Sequence, residues 1–577
     1  MADSKGSGPV EKKELSIETR LLLAFILMGA VLFTTPYFFK TLPPTPPPGK
    51  KVQLAPPVTS APEQKPVSTE AVAAAPTPGQ ESASKESIVT LDTDLYHIVF
   101  SNRGAVVRSW ILKKYKDSNQ KPVDLVNAAA APVTGFPFSL TSKNQKPSAD
   151  INNALYVVNQ SGDGLQIDFQ FSDGKTFARK SFHFTKDSYQ SQISTEVTDN
   201  GVPVPHLIEW RGGFGDMTVP SPAAAQHSIY YDSAANGGFP FYQTGKLSVT
   251  TAKDAKNGPV TAIGPFTFAG MEDTYFAAVF LPKNGTTEIQ TFDDKAPTPT
   301  NPTPDQLAGA AVGGEGVNRF PLFVGPKDLD IMKRVNPKLE QVVDFGFFSV
   351  IAKPLFLAMH WLTDNYVRNY GWSIIIMTIF INIALFPLKI TSMKSMKKMQ
   401  ALQPQIAAIN EKYKNVGMRD PRKQEQNQEV MALYQKHGVN PLGGCLPMAL
   451  QMPFLFAFYK VFAIAIEMRG ANWLWITDLS RPETLPIHLL PIAMIVSQFV
   501  QQKMTPTQPG GDPAQQKVMM FMPLMFGFMF YNASAGLVLY WLTSNLVNIA
   551  QQWFFNRTAV AAGAAQSVQP KKKNGRK

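Results

Sequence analysis

The run from Trp372 to Leu388, WSIIIMTIFINIALFPL, is seventeen residues without a charge and ends where Lys389 opens a basic stretch. As a helix it rises roughly 25 Å at about 1.5 Å per residue, a little under a hydrocarbon thickness of about 30 Å. The pattern predicts a membrane span over 371–390. Thr378 and Asn382 lie four apart, so both fall on one face of that helix. A hydroxyl and an amide at bilayer depth need polar neighbours, supplied either by packing against another helix or by a functional cavity.

Taken in order, residues 1–20 read as a cytoplasmic tail and 21–39 as a nineteen-residue apolar anchor. Its end, Pro36, Tyr37, Phe38 and Phe39, is bulky where a cleavage site would be small, which predicts an uncleaved span. Residues 40–83 are a Pro-, Ala- and Ser-rich spacer. Over 84–335 the period changes to two, as in Leu165, Ile167, Phe169 and Phe171, and Asn-Gly pairs such as Asn200-Gly201 mark turns. This stretch predicts a large all-β sandwich. Residues 336–370 mix apolar contacts with Lys353, His360, Asp364 and Arg368, predicting an amphipathic helix along the membrane surface. A helical hairpin follows over 391–441, with Met393, Met396, Met399 and Leu402 as an adaptable contact face and Arg422 to Lys436 as its second helix. Further spans are predicted at 442–466, 485–503, 517–531 and 535–555, and 556–577 is a basic tail. The expected fold is a multi-domain membrane protein: a six-span α-helical bundle, anchor included, carrying a large β-sandwich.

Charge fixes an orientation on this bundle. The net formal charge of the 577-residue chain is +12. Ten Lys or Arg against four Asp or Glu between Lys389 and Pro441, and six unopposed cations after Phe555, account for it. Basic loops beside spans stay cytoplasmic, so both termini are expected there, with the β domain on the far side. The single cysteine, Cys445, excludes a disulfide framework or a cysteine-ligated metal within one chain, and reads as a small apolar packing residue. The chain has no P-loop, HExxH or nucleophile elbow. His183, His206 and His227 lack a tight metal-ligand spacing, and Gly212 to Gly215 has no strand-helix phosphate context. No enzyme, cofactor, metal or DNA partner is expected.

The late spans are polar on one side. Asn545, Asn548 and Gln552 fall at i, i+3 and i+7 beside Ser544 and Gln551, while Gln451 and Gln498 sit inside the preceding spans. Facing Thr378 and Asn382, they would enclose a wet, uncharged cavity. Met522, Met525, Phe526 and Met529 belong to a soft apolar surface suited to varied apolar partners, the alternative being lipid-facing filler.

Five segments carry a family resemblance: YGWSIIIMTIFINIALFPLKI (Tyr370 to Ile390), MKKMQALQPQI (Met396 to Ile406), VNPLGGCLPMALQMPFLFAFY (Val439 to Tyr459), QQKVMMFMPLMF (Gln515 to Phe526) and SAGLVLYWLTSNLVNIAQQ (Ser534 to Gln552). They resemble the YidC/Oxa/Alb insertase family in its Gram-negative form. The resemblance implies a five-helix insertase core behind the anchor, a periplasmic β-sandwich and an inner-membrane location. It also implies work on nascent membrane proteins, alone or with the Sec translocon (SecYEG and SecDF), the ribosome being reached through the hairpin and basic tail. The implied substrate groove is Thr378, Asn382, Gln451, Tyr540, Trp541, Asn545 and Asn548, open to cytoplasm and lipid. One departure stands out: the family pattern places an arginine where this chain has Asn382, so the groove residue is neutral here, and Lys389 or Lys394 at the groove mouth would partly substitute. Two other readings remain: a small-solute transporter, which inverted repeats and broken half-helices would favour, and an envelope enzyme acting through the β domain.

Overall fold

The computed structural model describes residues 79–142, 145–219, 221–236, 244–283, 285–414, 416, 420–439, 446–504 and 513–567. The predicted anchor, most of the spacer, Cys445 and the last ten residues lie outside them. Contacts divide the described residues into a β-rich unit, within 79–347 and 464–467, and a helical unit, within 348–463 and 468–567.

Alternating apolar residues build the β-rich unit. It opens with β1 (Ile88–Asp92), β2 (Tyr96–Ser101), β3 (Val106–Lys116) and β4 (Pro122–Asp124), an antiparallel sheet in chain order. There follow β5 (Leu140–Ser142), β6 (Val157–Gln160), β7 (Gln166–Ser172), β8 (Thr176–Phe184), β9 (Gln190–Asp199), β10 (Val202–Pro203) and β11 (His206–Trp210). Next come β12 (His227–Asn236), β13 (Thr244–Thr250), β14 (Val260–Gly264), β15 (Phe266–Glu272) and β16 (Phe276–Phe280). The last are β17 (Thr287–Thr298), β18 (Asn301–Gly313) and β19 (Val317–Pro326). A ten-stranded sheet runs β13-β12-β15-β16-β19-β9-β8-β7-β6 with β10 beside β9, and a five-stranded sheet runs β14-β17-β18-β11-β5. The ten-stranded sheet is covered on one face by the other two. Phe100 of β2 and Trp110 of β3 meet Phe182 and Phe184 of β8, and Trp210 of β11 joins them through Phe138. The predicted sandwich therefore has three sheets around one aromatic core. Asn200 (φ 49°) and Gly201 (φ 77°) form the tight turn from β9 to β10 that the Asn-Gly pair predicts, since both residues must take positive φ.

His206, fully buried, shows why a lone histidine here is structural. Its Nδ1 lies 2.8 Å from the Val204 carbonyl and its Nε2 2.8 Å from the Thr195 hydroxyl, while Asn318 Nδ2 donates to Thr195 Oγ1 at 3.3 Å. The chain of donors fits a neutral ring, and burial pushes its pKa down to about 4. The unfolded chain takes up this proton near pH 6.5. Between pH 6.5 and about 4 the unfolded state therefore binds more protons, and stability is complete above that window and lost on acidification through it. The loss expected is about 3 kcal/mol. Hydrogen exchange of the segment around β11 in the full chain should accelerate as pH falls through this window, and His206→Asn should remove that component; an unchanged pH profile in the variant would refute it.

The helical unit consists of α1 (Ser349–Leu362), α2 (Tyr370–Ala384), α3 (Phe386–Ala401), α4 (Gln403–Lys412), α5 (Arg422–Lys436), α6 (Leu446–Ile464), α7 (Leu489–Met504), α8 (Pro513–Phe530) and α9 (Ala535–Ser567). The segment expected along the membrane surface is helical over Gly346–Val367, 22 residues with a mean hydropathy of 1.2. Among the described residues it is the one straight helix long and apolar enough to cross a bilayer; α2 and α3 together meet the same test, bent by 57°. That bend corrects the straight span expected over 371–390. Pro387 lacks the N–H that would bond the Ile383 carbonyl and its ring crowds that carbonyl, so the helix breaks at Leu385 and restarts with Pro387 in its first turn. At the other end, α9 continues past the expected limit at 555 to Ser567, through a run rich in alanine, the strongest helix former. Helix α5 has the limits predicted for the second arm of the hairpin. The methionine ladder, however, is not a free contact face. Met399 is buried with Leu402, Ile406, Tyr434 and Val439, and Met396 packs on them, because a two-helix hairpin must close its apolar stripe on itself.

Candidate functional site

Helix α2 begins with Asn369, whose side chain accepts from the Trp372 N–H, and Gly371 allows Trp473 to lie against it: a Cβ there would stand 2.3 Å from the indole. Two turns of helix further lies the first of the predicted polar residues. Thr378 is fully buried and donates to the carbonyl of Ile374 in its own helix (2.6 Å). Asn382 Nδ2 donates to Thr378 O at 2.8 Å and reaches Ser544 Oγ of α9 at 3.5 Å.

The bend at Leu385 then brings back the first residue of the basic stretch. Lys389 is only 4% exposed, and its Nζ donates to Asn382 Oδ1 and to Asn548 Oδ1, 2.6 Å in each case. This corrects two expectations: the polar interior is not uncharged, and Lys389 is not at its mouth. An ammonium in this setting is tolerable because two amide oxygens replace part of its water shell. Gln551 Nε2 donates to the backbone carbonyl of Asn382 (3.0 Å), holding α9 against the same turn.

From α6, Gln451 Nε2 donates to the Tyr540 hydroxyl (2.7 Å) and to Ser544 Oγ (3.0 Å). Tyr540 is buried under Phe458, ring centroids 4.2 Å apart. A second polar group forms between α9 and α7. Trp541 Nε1 donates to Gln498 Oε1 (2.9 Å), Asn545 Nδ2 to the same oxygen (2.9 Å) and to Ser497 Oγ (3.0 Å), and Gln552 Nε2 to the Met504 carbonyl (2.5 Å). The single polar stripe expected from Asn545, Asn548 and Gln552 is thus divided. At about 100° per residue these positions spread over about 60°, and α9 sits between neighbours on both sides, so each amide bonds to the nearer one.

The amides and hydroxyls named in advance therefore come together as two groups. Thr378, Asn382, Gln451, Tyr540, Asn548 and Lys389 form one, and Trp541 with Asn545 the other. Lys389 is the residue that sequence reasoning undervalued; its signal was its position seven after Asn382, two turns along the same face.

The outer side of the unit is apolar. On α8, Phe521, Leu524, Met525 and Phe528 are exposed and, with Ile495 of α7, line a slot of about 560 Å³ whose floor is Gly527. Met522 and Met529 are half-buried. Phe526 points the other way, buried on Trp541 at 5.4 Å, so it does not belong to the outward surface expected of it. Residues 522, 526, 529 and 530 cannot share one face with 521, 525 and 528 on a single helix, which is why the apolar run splits between inside and outside.

Known proteins resemble the chain along its length. Residues 88–358 match the family described as YidC periplasmic domain, and residues 361–562 that described as 60Kd inner membrane protein. A membrane protein insertase YidC of Syntrophus aciditrophicus is 35% identical over 582 residues, covering 94% of this chain and 100% of the relative. One of Pelobacter propionicus is 34% identical over 569 residues, covering 94% and 99%. The crystal structure titled "Active YidC insertase crystal structure with the first transmembrane domain resolved" is 19% identical with a TM-score of 0.36, covering 83% of this chain and 95% of the other. At such identity across nearly its whole length, this chain belongs to the family of the membrane protein insertase YidC.

Proposed function

We propose that this chain inserts nascent membrane proteins by drawing their polar, acidic segments to the Lys389 ammonium between α2, α3 and α9, while their apolar segments leave along α8. The observation that carries this reading is the Lys389 Nζ held 2.6 Å from Asn382 Oδ1 and Asn548 Oδ1 inside an otherwise acid-free set of helices. A polar segment entering hydrocarbon alone faces several kcal/mol for each unsatisfied group. Here amides and hydroxyls already oriented toward one another can exchange partners with the incoming chain. A carboxylate approaching Lys389 would replace a neutral amide oxygen by a charged one, turning a bond assisted by one charge into one assisted by two. Burial of the substrate's apolar helix in lipid, at roughly 25 cal/mol per Å², then drives release. Neither nucleotide nor metal enters this scheme.

In the same reading the bundle has six spans including the 21–39 anchor, both termini are cytoplasmic, and the β-rich unit is periplasmic. The hairpin over 391–441, built from α3, α4 and α5, and the basic tail face the ribosome, and Sec translocon subunits act beside the helical unit. Photocrosslinkers at 378, 382 and 540 should capture a stalled nascent membrane protein and lose it on release. Deleting 84–334 should leave insertion in place, against an enzymatic role of the β-rich unit. Absence of crosslinks from all three positions would remove this reading.

A further inference from the structure

The end of the helical unit where α7 stops and α9 continues carries a second feature, separate from the Lys389 group. Met504, Trp553, Asn556 and Arg557 line a cavity of about 300 Å³. The Arg557 guanidinium lies over the Trp553 ring, 4.1 Å from its centroid, so one face of the cation is covered while its N–H edge remains available. No carboxylate among the described residues pairs with it. The two helices that line the cavity, α7 and α9, contain neither Asp nor Glu. The bond from Gln552 Nε2 to the Met504 carbonyl ties the end of α7 to the middle of α9 beside the cavity.

Below this cation the surface is apolar. Val500 is one turn before Met504 on α7, Leu546 is two turns before Trp553 on α9, and both are exposed. Cation, aromatic ring and exposed apolar side chains follow one another along the helix axis, the order of a phospholipid from headgroup to acyl chain. Tryptophan prefers the interface between the two. We propose that this is a binding site for one anionic phospholipid, its phosphate held by the fork of Arg557 and an acyl chain laid between Val500 and Leu546. The inference rests on the helical unit lying in a bilayer and is independent of the role given to Lys389.

The test uses the full chain in nanodiscs of phosphatidylethanolamine with phosphatidylglycerol, extracted into detergent and weighed by native mass spectrometry. One retained phosphatidylglycerol per chain is expected, with retention falling about tenfold in Arg557→Gln and in Trp553→Ala. Excess inorganic phosphate should not release it, and removing residues 571–577 should leave it bound. Equal retention by Arg557→Gln and the unaltered chain overturns the proposal, as does equal retention of phosphatidylethanolamine. Release by phosphate would identify a bare anion site, and loss on removing the tail would assign the lipid to the tail; either result also overturns it. Nascent-chain crosslinks at 378, 382 and 540 read the other proposal separately, so the two can fail independently.

Discussion

Lys389→Met is expected to reduce insertion of substrates with acidic translocated tails by about tenfold or more while leaving neutral-tailed substrates within about twofold. The side chain of methionine fills nearly the same volume, so the change removes one charge and leaves Asn382 Oδ1 and Asn548 Oδ1 without the donor they share. Lys389→Arg should retain most activity, because a guanidinium can still reach both amides. The informative comparison is the double variant Asn382→Arg with Lys389→Met, in which a cation returns from α2 instead of α3; acidic-tailed insertion should recover. Insertion is read by protease protection of the translocated tail, with thermal stability of each variant measured alongside. If Lys389→Met handles acidic tails as the unaltered chain does, the buried ammonium plays no part in substrate attraction. If Asn382→Arg alone changes nothing, the lysine already supplies the charge that position lacks.

Lys327→Met should destabilise the β-rich unit by roughly 3–5 kcal/mol. Lys327 follows β19 and its Nζ donates to Glu272 Oε2 (2.8 Å) and to the Asp273 carbonyl (3.1 Å), with His227 Nδ1 3.8 Å from the other Glu272 oxygen. Burial alone would raise the Glu272 pKa, but the ammonium beside it holds the carboxyl below its ordinary range. Methionine would therefore leave a buried carboxylate with His227 beside one oxygen and no ammonium beside the other. The adjacent Asp273 carboxyl accepts from the N–H groups of Asp216 (2.9 Å), Tyr275 (2.8 Å) and Phe276 (2.6 Å), so the loss would spread into the β15–β16 turn. Denaturant unfolding followed by the fluorescence of buried Trp110 and Trp210 measures it. The double variant Lys327→Met with Glu272→Gln should regain much of the difference, since it removes the charge left unpaired. A single variant within about 1 kcal/mol of the unaltered chain would show that the pair is replaceable by apolar packing.

The arrangement of the helical unit was legible wherever one local rule decided it. Residue Arg422 opened and Lys436 closed a helix as the apolar spacing and the breaks around Asp420 required. The direction of individual side chains was not. Phe526 and Met525 are neighbours in sequence and equally apolar, yet one packs on Trp541 and the other faces outward, because only the position of α9 decides which side of α8 is covered. Asn545 and Asn548 separate for the same reason.

By itself the sequence determined the β-rich segment with its period of two and the run of apolar helices after it. It also determined the basic excess beside those helices and the residue types that would have to share a polar interior. Each of these depends on periodicity, composition or turn chemistry within a few residues. Tertiary structure alone decided that Lys389 turns inward. The backbone bends by 57° between α2 and α3, and only after that bend do Asn382 and Asn548, 166 positions apart, stand close enough to share one ammonium. A charge at the start of a basic stretch is at home in water. It enters the bundle only because two amide oxygens from different helices meet there and replace the water it gives up.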